Sequence, residues 1–253
     1  LARTEPLTLQ PGRRDLIATA QPRTHHGHVM HDLGLGIVSG RYPEGAILPG
    51  DAELLEHYGV SRTVLREALK TLAAKGLIQP KAKIGTRVRE RGYWNLFDPE
   101  ILHWHFQAGV DEDFLLSLGE MRLALEPEAA ALAAIRRTHA HVAELYRWIE
   151  QMGVTGVSGQ NFVQSDLRFH IAVAEASNNP FMRSVSTLIE VALAATFTIS
   201  SPIPDSVKHL ESVARHRAIA DAIEARDPDA ARNAMRLVII EGMDRVKAVE
   251  QPA

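Results

Sequence analysis

Apolar residues recur along most of this chain at the spacing of an α-helix. Val29, Leu33 and Ile37 follow one another every fourth residue, with Val38 after them, which predicts a helix that stops at Ser39-Gly40. Pro43, Gly45, Pro49 and Gly50 mark a loop. A short helix is expected from about Asp51 to His57, with Asp51 and Glu53 suiting its positive end and Gly59 closing it. Ser61 is a plausible N-cap for the next helix, which should run to about Lys75. In it Leu65, Ala68, Leu69 and Leu72 form one buried stripe, leaving Arg62, Thr63, Arg66 and Lys70 on the open side. Leu77-Ile78-Gln79 and Thr86-Arg87-Val88-Arg89 read as two short strands around a turn that holds Lys81, Lys83 and Gly85. Pro80 weakens the first of them. Three helices followed by a basic hairpin make a winged helix-turn-helix.

Beyond Pro99 the composition turns rich in alanine and leucine, and the helical spacing continues almost to the end. It is interrupted at Gly109, around Gly153–Gly159, at Asn178-Asn179-Pro180, at Ser200–Pro204 and at Asp227-Pro228. Six or seven helices in an antiparallel bundle are expected there, with a kink or break at Pro127. The fold class is therefore mainly α: an arm over 1–24, a winged helix-turn-helix over 25–90, a linker over 91–99 and a helical bundle over 100–250.

Charge separates the two parts. The formal net charge is −3, yet residues 1–95 hold 14 Lys/Arg against 9 Asp/Glu, and the remainder 14 against 22. A basic front end and an acidic back end suggest that an anionic partner meets the first domain. The absence of cysteine excludes disulfides and thiolate metal sites, and fits a reducing cytoplasm. No apolar run approaches the roughly 20 residues of a membrane span, and no signal-peptide pattern is visible.

Arg62 and Arg66 lie one turn apart and can offer guanidinium forks to guanine edges or phosphates. Ser61 and Thr63 can donate to phosphate beside the helix N-terminus, and Lys81 and Lys83 would bring the wing to the backbone. In the second domain Asp166 and His170 are spaced i, i+4, so they share one helix face. His216 on a later helix could pack opposite them. Carboxylate oxygen and neutral imidazole nitrogen suit zinc, or nickel or manganese.

The stretch LPGDAELLEHYGVSRTVLREALKTLAAKGLI, followed by GTRV, resembles the winged helix-turn-helix of GntR-family transcription regulators over residues 28–89. The resemblance implies a homodimer on double-stranded operator DNA. It matches Ser61, Arg62, Thr63 and Arg66 to the family's recognition helix, and Gly85 with Thr86 to its wing tip. Ala52 departs from the polar or basic residue often found there. EMRLALEPEAAALAA, DLRFHIAVAEASNNP, HRAIADAI and DPDAARNAM resemble the FCD effector domain of the FadR-like branch. That likeness implies a divalent-metal site using Asp166, His170 and His216, and an effector-binding role for Arg122 toward a small carboxylate. The linker resembles that of sugar-acid-responsive members. The family's fourth metal ligand falls on Val238, a departure. The expected function is a repressor controlled by a small organic acid; a metal-free sensor and a metal-dependent hydrolase remain open alternatives.

Overall fold

A computed structural model describes residues 24–109, 112–154, 159–185 and 206–249. The arm expected over 1–24 lies, apart from Thr24, outside the described residues, as does the interruption at Ser200–Pro204. The chain divides into two compact units, one reaching Val110 and the other beginning at Asp111.

In the first unit, α1 (His25–Val38), α2 (Asp51–Tyr58) and α3 (Arg62–Ala74) precede the hairpin strands β1 (Ile78–Lys81) and β2 (Gly85–Val88). Each helix starts and stops for a local reason. Thr24 caps α1 by accepting from the Gly27 amide, and Ser61 caps α3 by accepting from the Val64 amide at 3.3 Å. Gly59, at φ 63°, closes α2 in the left-handed conformation. Leu65, Ala68 and Leu72 bury the inner stripe of α3 against Val29, Leu33 and Ile37 of α1. The expected hairpin is present despite Pro80, which pairs with Thr86. Ile47 bridges Arg87 on the other side of β2, so Pro80 occupies an edge strand, where a missing N–H is tolerated.

A 3-10 turn (Arg91–Tyr93) leads to Trp94, whose indole donates to the Arg89 carbonyl, and then to α4 (Pro99–Ala108). The sequence places residues 100–250 in the second domain, but α4 packs inside the first unit. Ile101 and Trp104 belong to the same core as α1 and α3. The anchor is Trp104, whose indole donates to His31 Nδ1 at 3.0 Å and whose ring lies over Gly34. A Cβ at Gly34 would stand 2.4 Å from that ring. Gly34→Ala should therefore destabilise the unit by about 1–3 kcal/mol through overpacking, measured by urea unfolding.

The second unit is a helical bundle: α5 (Glu112–Arg136), α6 (His139–Gly153), α7 (Gly159–Ala176), short α8 (Pro180–Ser184), α9 (Ser206–Glu224) and α10 (Pro228–Val249). Its core gathers Ala130, Ala133, Leu145, Ile149, Phe162, Phe169, Ile219, Met235 and their neighbours. Of the kink or break expected at Pro127, the break does not occur. α5 runs through it, held along its length by α10 and α7, and such packing outweighs the loss of one backbone hydrogen bond. The chain breaks instead at Thr138, whose hydroxyl accepts from the His141 amide while His141 Nδ1 accepts from the Thr138 amide.

Candidate DNA-reading surface and metal centre

On α3 the side opposite the core stripe is open. Ser61, Arg62, Thr63 and Arg66 are exposed, and neither arginine forms an ion pair among the described residues. Both guanidiniums, with the positive end of α3 beside them, are therefore available to an anionic partner. At the wing, Lys81, Lys83 and Gly85 are exposed and Thr86 is half-buried. Lys83 takes the left-handed conformation in the hairpin turn. Ala52 is exposed on α2 and offers only a methyl group.

The second unit brings Asp166 and His170 of α7 together with His216 of α9. All three are buried, and one ligand atom from each lies within 4.8 Å of the others. His216 Nε2 stands 3.0 Å from Asp166 Oδ1, and His170 Nε2 3.9 Å from Asp166 Oδ2. Asp166 Oδ2, His170 Nε2 and His216 Nε2 have no hydrogen-bond partner among the described residues.

The neighbours fix which nitrogens face inward. His216 Nδ1 donates to the Ser212 carbonyl at 2.7 Å, because a carbonyl can only accept. His170 Nδ1 lies 2.5 Å from Glu126 Oε2, and Glu126 Oε1 accepts from Arg122 Nε at 2.5 Å. Burial alone would raise the Glu126 carboxyl, but Arg122 and His170 outweigh it and hold it at about 2. Ionised Glu126 thus accepts the His170 Nδ1 proton. With both imidazoles neutral, as metal binding requires, their Nε2 lone pairs are left for Asp166's side of the site, and three electron-pair donors converge. A buried arrangement of this kind needs positive charge at its centre, either a proton or a metal. Burial depresses and Asp166 raises the His216 imidazole, with a net shift upward; burial raises and His216 lowers the Asp166 carboxyl, with a net shift downward.

Val238, where the fourth ligand was expected, does line the cavity beside this cluster, but it presents only methyl groups. The sequence reading missed Arg215, Glu241 and Arg245, which line the same cavity. Glu241 pairs with Arg215 at 2.7 Å and with Arg245 at 3.2 Å. A signal existed: Val238, Glu241, Gly242 and Arg245 follow i, i+3, i+4, i+7 and so share one face of α10. Arg122 lines the cavity too, although its Nε is committed to Glu126.

A winged helix-turn-helix with exposed arginines on α3, followed by a helical domain, is the architecture of a DNA-binding transcription regulator. Comparison with known proteins agrees. Residues 26–88 match the model of the bacterial regulatory proteins of the gntR family, and residues 117–240 match the FCD domain. The chain is 38% identical over 214 residues to the uncharacterized HTH-type transcriptional regulator YieP of Escherichia coli K12, covering 82% of this chain and 89% of that one. It is 32% identical over 217 residues to the galactonate operon transcriptional repressor of the same organism, covering 86% and 94%. The solved structure of the Listeria monocytogenes regulator Lar, which controls expression of the agr system, superposes with a TM-score of 0.61 at 18% identity. That match covers 91% of this chain and all of the other, and it supports the fold. The chain belongs to the GntR family, with an FCD second domain. Its relatives are transcription regulators rather than enzymes, which removes the hydrolase reading. Among the described residues no helix is long and apolar enough to cross a membrane.

Proposed function

We propose that this protein is a homodimeric repressor whose grip on operator DNA is set by a small organic acid bound beside a metal in the FCD domain. Ser61, Arg62, Thr63 and Arg66 read the DNA, and Lys81, Lys83, Gly85 and Thr86 bring the wing to its backbone. Asp166, His170 and His216 hold a divalent ion. Their N2O donor set suits zinc and accepts nickel or manganese. Such an ion supplies an anchor for carboxylate and hydroxyl oxygens. One observation carries this reading: three buried donor atoms without partners converge within 4.8 Å and border a cavity lined by three arginines.

The chain's own residues do the rest. Glu126 and the Ser212 carbonyl fix the imidazole tautomers. Arg122, Arg215 and Arg245 offset the charge of an entering carboxylate, for which a guanidinium fork is well shaped. A sugar acid offers the carboxylate and hydroxyl oxygens that a metal and guanidinium groups would take, and the relative named for the galactonate operon supports that class. Linkage between the pocket and the DNA-reading heads would amount to about 1–3 kcal/mol, a roughly 5–150-fold change in operator affinity.

The experiment is a thermal-melting titration of the full chain with a panel of aldonates and aldarates, before and after chelation. A rise in melting temperature with one of them, lost on chelation, is the expected result. No shift with any acid would overturn the ligand class. A shift that survives chelation, in protein shown metal-free by elemental analysis, would favour the metal-free sensor.

A further inference from the structure

The far end of α3 is fastened to α4 by charge. Lys75 caps the C-terminus of α3, and its ammonium reaches Asp98 Oδ2 at 2.5 Å and Glu100 Oε2 at 2.7 Å. The Lys75 side chain is 11% exposed and that of Asp98 17%, so little water competes for the pair. Burial would lower the Lys75 ammonium, but the two carboxylates outweigh it and raise it, so the lysine stays charged. Asp98 is used twice. Its Oδ1 accepts from the Glu100 and Ile101 amides and caps the N-terminus of α4, while its Oδ2 takes Lys75. A cation thus sits at the negative end of one helix and carboxylates at the positive end of the next, where each is favoured.

The backbone repeats the join. The Asn95 amide donates to the Lys75 carbonyl at 3.0 Å. Gly76, at φ 82°, lies so close to the incoming chain that a Cβ there would stand 2.1 Å from the Tyr93 carbonyl oxygen. Elsewhere α3 and α4 do not pack broadly on one another; each lies against α1. Apolar burial is non-directional and by itself leaves the angle between two such helices loosely set. Charge-assisted hydrogen bonds at a fixed pair of helix ends set it. Lys75 stands at the opposite end of α3 from Ser61 and Arg62 and is spent on carboxylates, so contact with phosphate is not its role.

On the reading that α3 engages DNA, we propose that Lys75 is a positioning residue. Through Asp98 and Glu100 it makes α3 and α4 answer together when the protein takes its operator. α4 is the last helix of the first unit, and the chain passes from it into the second. The ion pairs therefore join the DNA-reading helix to the segment that leads toward the rest of the protein.

Amide hydrogen exchange of the full chain, with and without an operator fragment selected from genomic DNA, tests this, because exchange reports the local opening of each helix. In the parent, operator should slow exchange over residues 61–75 and, by linkage, over 99–108, the latter by about 5–150-fold. Lys75→Met keeps the apolar stem. It should preserve the slowing over 61–75 and abolish it over 99–108, whereas Lys75→Arg should keep both. A lysine with only a structural role would speed exchange in the free variant yet leave the operator-induced slowing of α4 in place, and that result overturns the proposal. So does a parent in which α3 responds to operator and α4 does not. A parent in which neither helix responds removes α3 from DNA reading as well. If Lys75→Met fails to fold, Glu100→Gln, which leaves the Asp98 cap intact, should reduce the α4 response, and an unchanged response overturns the proposal equally.

Discussion

Asp166→Asn is expected to abolish the stabilisation that added zinc gives the parent protein. Metal at about 100 times its dissociation constant stabilises a folded protein by about 2.7 kcal/mol. The variant should show none of that gain, because its amide nitrogen or neutral oxygen replaces the anionic member of the three. Even partners outside the coordination shell cost roughly 10–100-fold in metal affinity, so loss of a ligand should exceed about 100-fold. The gain should also fade in the parent as pH falls, since His170 and His216 bind metal only when deprotonated. The His216 imidazole, raised by Asp166, loses that support in the variant. Melting curves with and without chelator, together with elemental analysis, read both effects. A variant that keeps metal and the full stabilisation would remove Asp166 from the site.

The other large effect belongs to the recognition helix. Arg62→Ala and Arg66→Ala should each weaken operator binding by about 1–3 kcal/mol, and the double variant by more than about 100-fold. Both side chains are exposed, away from the buried α3 stripe of Leu65, Ala68 and Leu72, so stability should stay within about 0.5 kcal/mol of the parent. Selection of bound fragments from genomic DNA supplies the operator, and anisotropy supplies the affinities. An undiminished affinity in the double variant would mean that this helix does not read DNA. A loss that differs between arginines and relaxes preference at single base pairs would separate base contacts from phosphate contacts.

The first unit was largely legible in sequence because local signals there agree with one another. Ser61, Gly59 and the i, i+3, i+4, i+7 stripe of α3 each mark the same boundaries that packing enforces. The continuity of α5 through Pro127 and the helix start at Thr138 were not legible. Proline weighs against a helix locally, but contacts of α5 with α10 and α7 are made by residues distant in sequence. The start at Thr138 lacks the Glu or Gln that usually completes a capping box, and His141 takes that role. Asp166 and His170 stood out by residue type and by their spacing within one helix, and His216 by residue type on a later one. Arg215 and Arg245 did not, because surface arginines are common and only the arrangement of α9 beside α10 brings these two to the cavity.

The seating of Trp104 over Gly34 matters for anyone recombining such regulators. A graft that transplants only the segment up to Pro99 would strip the donor head of Ile101 and Trp104 and leave a greasy scar on its first helix. Such a chimera should be insoluble or poorly folded. A seam placed at Gly109, where the backbone already adopts φ 94°, keeps the head whole and makes it an exchangeable cassette.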